Sequence, residues 1–413
     1  MSCVRSRILY ISYTGLLQPL GQSQVLQYLV QLAAAHDIVL MTYERPEDLA
    51  DKERLAEMKA QCLAAGFRWV RLRYHKKPSI PATVYDIVAG TLVSLWIAAR
   101  SGTTIVHTRS YVPGVIGLIH KRLAGRKFVF DMRGFWPDER VDGGIWRANS
   151  AAYRVTKALE RRLLLAADVI VSLTRAGVRE MEQFSYLKDR PTRFEVIPTC
   201  TNMATFRPLP PPPGEKPFTI GYVGSAGVWY MFPETAACVM RLFDRRPHAR
   251  MLIINRGEHD YIRQTLSAAG VDLGRVDIRA ARYEDVATEI ASMDAAIFFI
   301  KPVFSKRASC PTKLGEFLAC GKPALSNSGV GDVADLLASQ NAGVCINRFD
   351  TTGYDEALDR LFALLGDPGV ETRCLALARG EFSLEAGVGR YAAIYRQLGE
   401  TQGAAARDAA VAA

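Results

Sequence analysis

Short apolar runs alternate with longer amphipathic stretches along this chain, and this alternation constrains the fold more than any other feature. The first instance is a predicted strand at 7–12, a glycine-bearing loop at 15–23, a helix over about 22–35 and a strand at 38–42. A strand, a crossover helix and a second strand in this order open a parallel sheet with helices on its faces. The pattern therefore predicts a doubly wound α/β domain.

The alternation stops at a proline-rich stretch, 206–217, and then starts again. Such a stretch is extended and suits a connector between domains. A chain of 413 residues is also longer than one hydrophobic core usually supports. We predict a Rossmann-like domain at 1–205, a linker at 206–217, a second Rossmann-like domain at 218–380, a helix at 381–400 and a disordered tail at 401–413.

Positive charge is concentrated in the first half of the chain. Residues 1–208 contain 30 Lys and Arg against 18 Asp and Glu, a net +12, whereas the remainder has a net −2. A basic domain attracts an anionic partner: a phosphorylated substrate, an anionic membrane surface or nucleic acid. Charge that serves solubility alone is the alternative explanation.

The cysteines and the apolar segments bear on cellular location. None of the eight cysteines forms a Cys-x-x-Cys pair, so we expect reduced thiols and a cytoplasmic protein. No apolar stretch at the N-terminus is long enough for a signal peptide. The most apolar run, 83–99, contains Asp86 and is shorter than the roughly 20 residues of a membrane span. It predicts a buried helix, with a helix lying on a membrane as the alternative.

The stretch 309–323 combines a strand end, a helix start and charged residues. A helix that begins near Pro311 and Thr312 presents free N–H groups at the carboxyl end of the preceding strand, which is a good seat for a phosphate. Lys313 and Glu316 are three residues apart and share one helix face. A cation there can meet a diphosphate, and a carboxylate can accept hydrogen bonds from sugar hydroxyls. An ordinary helix start with a surface ion pair is the alternative.

Polar loops follow the predicted strands of the first half. One strand ends at His107 and Arg109, and another runs into an aromatic, charged loop. A carboxylate in such a loop could orient or deprotonate a hydroxyl, and an aromatic face could stack on a sugar ring. The candidate cleft residues are Gly15, Gly21, Gln22, Ser23, Asp131, Arg133, Trp136, Asp138 and Glu139.

The second half carries a glycine turn directly after its first strand. Gly224 and Ser225 begin this turn, where backbone N–H groups can reach a phosphate. Lys306 and Arg307 add positive charge before the helix that holds Lys313. No Asp-x-Asp pair, phosphate-loop motif, nucleophile-elbow motif or zinc-protease motif occurs, so a bridging divalent metal has no obvious ligands.

In their order and spacing, these segments resemble the glycosyltransferases of family 4 over residues 7 to about 398. The segments that carry the resemblance are 15–23, 106–109, 131–137, 167–172, 196–208, 222–225, 311–323 and 327–332. The resemblance implies a GT-B fold, in which two doubly wound Rossmann-like domains face each other across a cleft. It implies an acceptor on the N-terminal domain, a donor on the C-terminal domain and a closing helix that packs back on the N-terminal domain. It also implies a retaining, metal-independent reaction with no cofactor beyond the nucleotide-sugar co-substrate.

The resemblance also implies roles for individual residues. Glu316 matches the family's ribose ligand, and Gly224 and Ser225 match its phosphate-side turn. We expect the chemistry to be carried by His107, Arg109, Lys313 and Glu316. We expect further donor contacts from Lys306, Arg307, Ser309, Cys310, Pro311, Thr312 and Gly315.

Three positions depart from the family's pattern. Ala308 stands where the family has the first of its two glutamates, and Arg109 stands where the family often has a histidine. The segment after Gly227 lacks the usual arginine and lysine. We therefore expect Lys313, assisted by Lys306 or Arg307, to supply the positive charge for the diphosphate.

The sequence thus predicts a hexosyltransferase that uses a nucleotide-diphosphate sugar, with a saccharide, a lipid-linked molecule or a small metabolite as the hydroxyl acceptor. We expect a role in cell-surface polysaccharide or glycoconjugate synthesis. We expect a cytoplasmic location, with peripheral association at the inner face of the membrane through the basic domain, and no nucleic-acid partner. The alternatives are a nucleotide-sugar 2-epimerase on the same fold and a non-catalytic sugar-nucleotide binding protein.

Overall fold

The fold is described from a computed structural model that covers residues 5–210, 214 and 216–412, with side chains as far as residue 400. Seven parallel strands form the N-terminal sheet. They are β1 (Arg7–Ser12), β2 (Asp37–Glu44), β3 (Arg68–Arg73), β4 (Ile105–Arg109), β5 (Lys127–Asp131), β6 (Val169–Ser172) and β7 (Phe194–Val196). Their spatial order is β3-β2-β1-β4-β5-β6-β7. The order reverses between β1 and β4, and ligands of such sheets bind beyond the carboxyl ends of the strands at this point.

Helices cover both faces of this sheet. They are α1 (Pro19–Gly21), α2 (Gln27–Leu32), α3 (Pro46–Ala50), α4 (Lys52–Ala64), α5 (Ser79–Ser101), α6 (Tyr111–Ala124), α7 (Trp136–Asp142), α8 (Ala151–Ala166) and α9 (Arg175–Glu182), and a π-helical turn, Gln22–Leu26, joins α1 to α2. Side chains of Asp51, Ser150 and Thr174 cap the N-termini of α4, α8 and α9. The apolar side chains of α2 and α4 pack on one face of the sheet, and those of α5 and α6 include residues that pack on the other.

The C-terminal domain repeats this plan with six parallel strands. They are β8 (Thr219–Val223), β9 (Arg250–Ile254), β10 (Val276–Arg279), β11 (Ala295–Ile297), β12 (Ala324–Asn327) and β13 (Gly343–Ile346), in the order β10-β9-β8-β11-β12-β13. The helices are α10 (Phe232–Arg245), α11 (His259–Ala268), α12 (Val286–Ala291), α13 (Thr312–Ala319), α14 (Val333–Ser339), α15 (Thr351–Leu365) and α16 (Val370–Leu377). Three 3-10 turns, Leu273–Arg275, Tyr283–Asp285 and Phe304–Ala308, and a π-helical turn, Ala378–Phe382, complete the domain.

The chain crosses between the domains twice, and the two crossing segments pair with each other. The N–H of Thr201 donates to the carbonyl of Phe382, and the N–H of Leu384 donates to the carbonyl of Thr201. The last helix, α17 (Leu384–Ala412), then packs on the N-terminal domain. Its buried side chains Leu384, Tyr391, Ile394, Tyr395 and Leu398 belong to the same apolar cluster as β1 and α2.

Several elements differ from the sequence-based expectation. The pattern gives no sign of α6, because its first turns contain Pro113, Gly114 and Gly117, which are poor helix formers. The short strand β10 and the helices α14 and α16 also lack a clear pattern. The backbone of α17 is helical to Ala412, through the segment for which a disordered tail is predicted. Part of the predicted linker, residues 211–213 and 215, lies outside the described residues.

The largest correction concerns the apolar run at 83–99. It forms α5 as expected, but the helix is not buried on all sides, because large apolar residues line its outward face. The helix is long and apolar enough to cross a membrane by length and composition, although about a third of that stretch is buried against the rest of the domain.

The seven cysteines in the described part of the chain are all free thiols.

Candidate active site

The carboxyl ends of β1, β4 and β5 face the N-terminus of α13 across a cleft between the domains. A cavity of about 360 Å³ lies in this cleft. It is lined by Tyr13, Thr14, Leu20, Gln24, Arg109, Ser110, Met132, Arg133, Gly134, Trp136, Glu139, Leu173, Thr199 and Thr312. The structure thus brings together Arg109, Arg133, Trp136, Glu139 and Thr312 from the residues that the sequence singles out.

Arg109 and Arg133, which line this cavity, belong to a buried network of charged and phenolic side chains. Asp131 accepts a hydrogen bond from the Tyr391 hydroxyl at 3.0 Å and lies 3.9 Å from Nη1 of Arg133. Burial opposes ionisation of Asp131, but Arg133, His107 and Arg109 together hold its pKa below the usual value. Arg109 is itself buried, and its Nε atom has no hydrogen-bond partner.

His107 lies beneath the cavity rather than in it. Its Nδ1 atom is 2.5 Å from the hydroxyl of Tyr395 on α17, and its Nε2 atom is 3.8 Å from Asp131. Burial lowers the pKa of His107, which favours the neutral ring. The side chain therefore supports Asp131 and α17, and it does not line the cavity where the prediction places a catalytic contact.

A second cluster forms where α13 meets the Gly224 turn. Lys313 is only 6 % exposed, and its Nζ atom has no hydrogen-bond partner. The ammonium lies 3.9 Å from the ring centre of Tyr230 and 4.4 Å from that of Tyr222. Burial lowers the pKa of Lys313 to about 7 and raises the pKa of Glu316, three residues on, to about 7. The two side chains therefore form a buried pair in which the ammonium of Lys313 has no hydrogen-bonded counter-ion.

The Gly224 turn presents its backbone to Lys313. Gly224 has a φ of +101°, which L-residues with side chains rarely adopt, and a Cβ atom there would lie 3.5 Å from Nζ of Lys313. Glu258 fixes the turn by accepting the N–H groups of Ala226 (2.8 Å) and Gly227 (2.9 Å). Partial burial opposes ionisation of Glu258, but these donors and the Asn255 amide hold its pKa below its usual value. The Asn255 amide bonds the carbonyl of Gly224 at 3.0 Å.

Lys306 and Arg307 do not point at the Gly224 turn. They lie on the 3-10 turn Phe304–Ala308, which docks on the N-terminal domain and forms ion pairs with Glu139 and Glu180. The carbonyl of Arg307 accepts a hydrogen bond from the Thr174 hydroxyl at 2.7 Å. The predicted assistance to Lys313 therefore has no support in this arrangement, because both cations are paired across the domain interface.

Ala308 is fully buried in an apolar cluster of the N-terminal domain. Its Cβ atom would be 2.9 Å from a Cβ atom added to Gly177 of α9, so the two segments are in close contact. The position that departs from the family's pattern thus lies in the domain interface. A carboxylate there would be buried among apolar groups instead of facing a sugar.

The remaining predicted site residues have structural contacts. Asp138 accepts hydrogen bonds from Tyr153 and Lys157 of α8, at 2.8 Å and 2.9 Å. Gly315 packs against Thr201 and Phe382 at the crossing segments. Gly15 and Gly21 are buried, whereas Gln22, next to Ser23, lines a neighbouring cavity of about 500 Å³. Ser309, Cys310 and Pro311 line a small gap between the domains, and Ser225 accepts the Tyr222 hydroxyl through its carbonyl.

Sequence reasoning missed the residues that surround Lys313 and fix the turn. They are Tyr222, Tyr230, Phe298, Asn255 and Glu258. Asn255 directly follows β9, the neighbour of β8 in the sheet, so its place at the same sheet edge was a usable signal. The three aromatic residues gave no such signal, because aromatic residues in or beside a strand are usually part of the hydrophobic core. Within the described residues, no group of three or more His, Cys, Asp or Glu is placed to hold a metal ion.

Comparisons with known proteins agree on the fold. Residues 21–200 match the family model of the glycosyl transferase 4-like domain. Sucrose-phosphate synthase from Thermosynechococcus elongatus superposes with a TM-score of 0.74 at 16% identity, covering 96% of this chain and 100% of that one. The Anabaena protein HepE in complex with UDP-glucose gives a TM-score of 0.64 at 13% identity, with 96% and 99% covered.

A third solved structure is the lipopolysaccharide outer core galactosyltransferase WaaB. It superposes with a TM-score of 0.59 at 13% identity, covering 93% of this chain and 98% of that one. No curated protein matches the sequence significantly. Together with the two parallel sheets, these likenesses confirm the predicted GT-B fold, and the family match bears out the resemblance to family 4 over residues 21–200.

Proposed function

We propose that this chain, which carries a glycosyl transferase 4-like domain on a GT-B fold, transfers a sugar from a nucleotide-diphosphate sugar to a hydroxyl acceptor with retention of configuration. The observation that carries this proposal is the buried ammonium of Lys313, which has no hydrogen-bond partner and faces the Gly224 turn. An uncompensated buried cation is costly in a folded protein unless an anion binds to it. A diphosphate is an anion that suits this place.

The proposed roles follow from the contacts. Lys313 and the turn at Gly224 hold the diphosphate, and Glu316 accepts hydrogen bonds from ribose hydroxyls. As the bond between the anomeric carbon and the diphosphate oxygen breaks, its electrons go to that oxygen, and Lys313 stabilises the growing negative charge. The acceptor oxygen bonds to the anomeric carbon on the same face and gives its proton to the leaving diphosphate.

Retention is supported by the state of the carboxylates near the cleft. Asp131 is bonded to Tyr391, Asp138 is bonded to Tyr153 and Lys157, and Glu139 is paired with Lys306. Asp138 and Glu139 are engaged by these partners, and Asp131 is only 1 % exposed, which argues against any of the three acting as the base on the opposite face of the sugar that an inverting reaction requires. The leaving diphosphate then serves as the base, and the reaction needs no dedicated side chain for this step.

The neighbours guide the choice of substrates. HepE is solved with UDP and with UDP-glucose, so UDP-sugars are the first donors to test. WaaB is a galactosyltransferase of the lipopolysaccharide outer core, and the neighbour from Thermosynechococcus elongatus is a sucrose-phosphate synthase. The screen therefore includes both glycoconjugate and small-molecule acceptors. We place the proposed reaction in surface polysaccharide or glycoconjugate synthesis.

A donor screen tests the proposal. The full chain is incubated with nucleotide sugars, with and without mixed acceptors, and release of nucleoside diphosphate is measured. We expect release that depends on the acceptor, and NMR of the product should show the anomeric configuration of the donor. An epimerised donor formed without acceptor would identify the epimerase instead. Binding without turnover for any donor would leave the non-catalytic alternative.

A further inference from the structure

Helix α5 presents a row of large apolar side chains to solvent, and most of the residues it buries, Ile97 apart, are small or polar. The outward residues are Ile80, Val84, Tyr85, Val88, Leu92 and Trp96, each between 54 and 72 % exposed. Five of them recur at every fourth position, which places them along one line of the helix surface. Isolated exposed apolar residues are common, but a continuous line of this length marks an interaction surface.

Contacts on the inward face of α5 prevent the helix from rotating about its axis to bury the outward side chains. Asp86 is buried and accepts hydrogen bonds from the Tyr13 hydroxyl at 2.7 Å and from the backbone N–H of His75 at 3.1 Å. Gly90 lies against the hydroxyl of Tyr43, where a Cβ atom would not fit. The Ser94 hydroxyl lies 2.9 Å from Nε2 of His120 on α6, within hydrogen-bond distance. These contacts fix the outward residues, named here the α5 apolar stripe, in solvent.

Basic residues flank the α5 apolar stripe along the chain. Between residues 68 and 101 the chain has six basic residues, and its one acidic residue is the buried Asp86. The basic residues are Arg68, Arg71, Arg73, Lys76, Lys77 and Arg100. All six are exposed, and the guanidinium of Arg100 lies 4.5 Å from the ring centre of Trp96. An apolar line flanked by a basic border, with no exposed acid between residues 68 and 101, is complementary to an anionic lipid surface.

We propose that the α5 apolar stripe and its basic border dock this protein on the surface of an anionic lipid bilayer. The helix lies in the plane of the interface, with the outward side chains among the headgroups and upper acyl chains. It does not span the bilayer, because it connects β3 and β4 of one sheet and its inward face stays bonded to that sheet. Docking of this kind does not depend on the transferase activity.

Vesicle flotation with the full chain tests the docking. Vesicles of phosphatidylcholine alone are compared with vesicles that contain about a third phosphatidylglycerol. We expect binding to the anionic vesicles that weakens with salt, and little binding to the neutral ones. Leu92→Ser with Trp96→Ser should weaken binding by about tenfold or more. Each of Lys76→Gln and Lys77→Gln should weaken it by about fivefold, the effect of about one lysine near such a surface.

Leu63→Ser is the matched control. Leu63 is 60 % exposed on α4, which packs on the opposite face of the sheet, so this variant should bind vesicles as the unaltered chain does. Quenching of Trp96 fluorescence by lipids brominated in the acyl chains gives the depth of the stripe. Trp96→Phe should keep the binding and lose the part of the quenching that comes from the stripe.

Three results would overturn the proposal. The first is no flotation with anionic vesicles at low salt, and the second is unchanged binding of the Leu92→Ser, Trp96→Ser variant. The third is a stripe-dependent dimer in analytical ultracentrifugation that does not bind vesicles, since the stripe would then join two copies of the chain. Thermal unfolding of every variant is compared with that of the unaltered chain, and we expect no shift because the altered side chains are exposed.

Discussion

Lys313 combines three properties that rarely occur together in a lysine without a ligand: burial, no hydrogen-bond partner and a pKa lowered to about 7 by that burial. The ring centres of Tyr222, Tyr230 and Phe298 lie 3.9–5.5 Å from its ammonium, and the carboxylates of Glu316 and Glu258 partly offset the lowering of its pKa by burial. These rings favour a cation through their negatively charged faces, but they do not neutralise it. At the scale of the single residue, the site is therefore incomplete without an anion.

Replacing this lysine separates a functional from a structural role. Lys313→Met should lower kcat by roughly 10²-fold or more, because a contact that stabilises the leaving charge is lost. The same variant should unfold at an equal or higher urea concentration, because a buried charge without a partner is removed. Lys59→Met, on the exposed side of α4, is the control and should alter neither quantity. A variant with full turnover would contradict the site assignment.

The lowered pKa also predicts proton uptake on donor binding. At pH 8 the Lys313 side chain of the free protein is mostly neutral, since its pKa is about 7, whereas Glu316, also near 7, is mostly ionised. A bound diphosphate raises the pKa of Lys313, so binding takes up close to one proton, and affinity falls as the pH rises from 7 to 9.

Calorimetric titration with UDP at pH 8, in two buffers of different ionisation enthalpy, measures this uptake. We expect the uptake to be absent in Lys313→Met. A binding constant that is independent of pH in the unaltered chain would show that Lys313 does not meet the ligand.

At the scale of the element, the 3-10 turn Phe304–Ala308 connects the two domains, although the sequence predicts that its residues contact the donor. Its charged side chains pair with Glu139 and Glu180, and its last residue is buried in the N-terminal domain. Phe304 stacks on Phe135 with ring centres 5.0 Å apart. The turn thus joins the domains directly before α13, the helix that carries Lys313.

Restoring the family's glutamate at this turn should therefore damage the protein. Ala308→Glu buries a carboxylate without a partner and should lower the free energy of unfolding by about 3 kcal/mol or more, as measured by urea denaturation. Ala60→Glu, on the exposed face of α4, is the control, and we expect a change within about 0.5 kcal/mol. A stable, more active Ala308→Glu protein would show that the turn can leave the interface and face the donor.

At the scale of the whole molecule, the two domains are held by contacts on both sides of the cleft. Asp332, which follows β12, accepts the backbone N–H groups of Arg175 (2.6 Å) and Ala176 (2.8 Å) at the start of α9. On the far side, α17 returns from the second domain and joins the core of the first. The relative position of the domains is therefore specified by bonds as well as by the crossing segments.

Removing the Asp332 carboxylate should loosen this arrangement. Asp332→Ala should lower the free energy of unfolding by about 2 kcal/mol, because two charge-assisted hydrogen bonds are lost at a buried position. Asp335→Ala is the matched control, since this carboxylate is 78 % exposed one turn further along α14 and should matter little. Equal stability of the two variants would show that the carboxylate is not part of the domain contact.

The sequence by itself determined the two α/β domains and the places where their strands end. Period and composition specify which segments become strands and helices, and parallel strands place their carboxyl ends at one sheet edge. For this reason Arg109, Arg133 and Trp136 reach the cleft, and Lys313 reaches the Gly224 turn, as the order of the segments suggests.

Only the tertiary structure decided which of these polar residues are free. Lys306 and Arg307 have the same sequence signal as Lys313, but they are neutralised by carboxylates more than 120 residues away in the chain. The exposure of α5 was decided in the same way, because its apolar pattern is continuous and only the packing of Asp86, Gly90 and Ser94 shows which side faces inward. Local pattern fixes elements, whereas partners and burial depend on contacts between residues far apart in sequence.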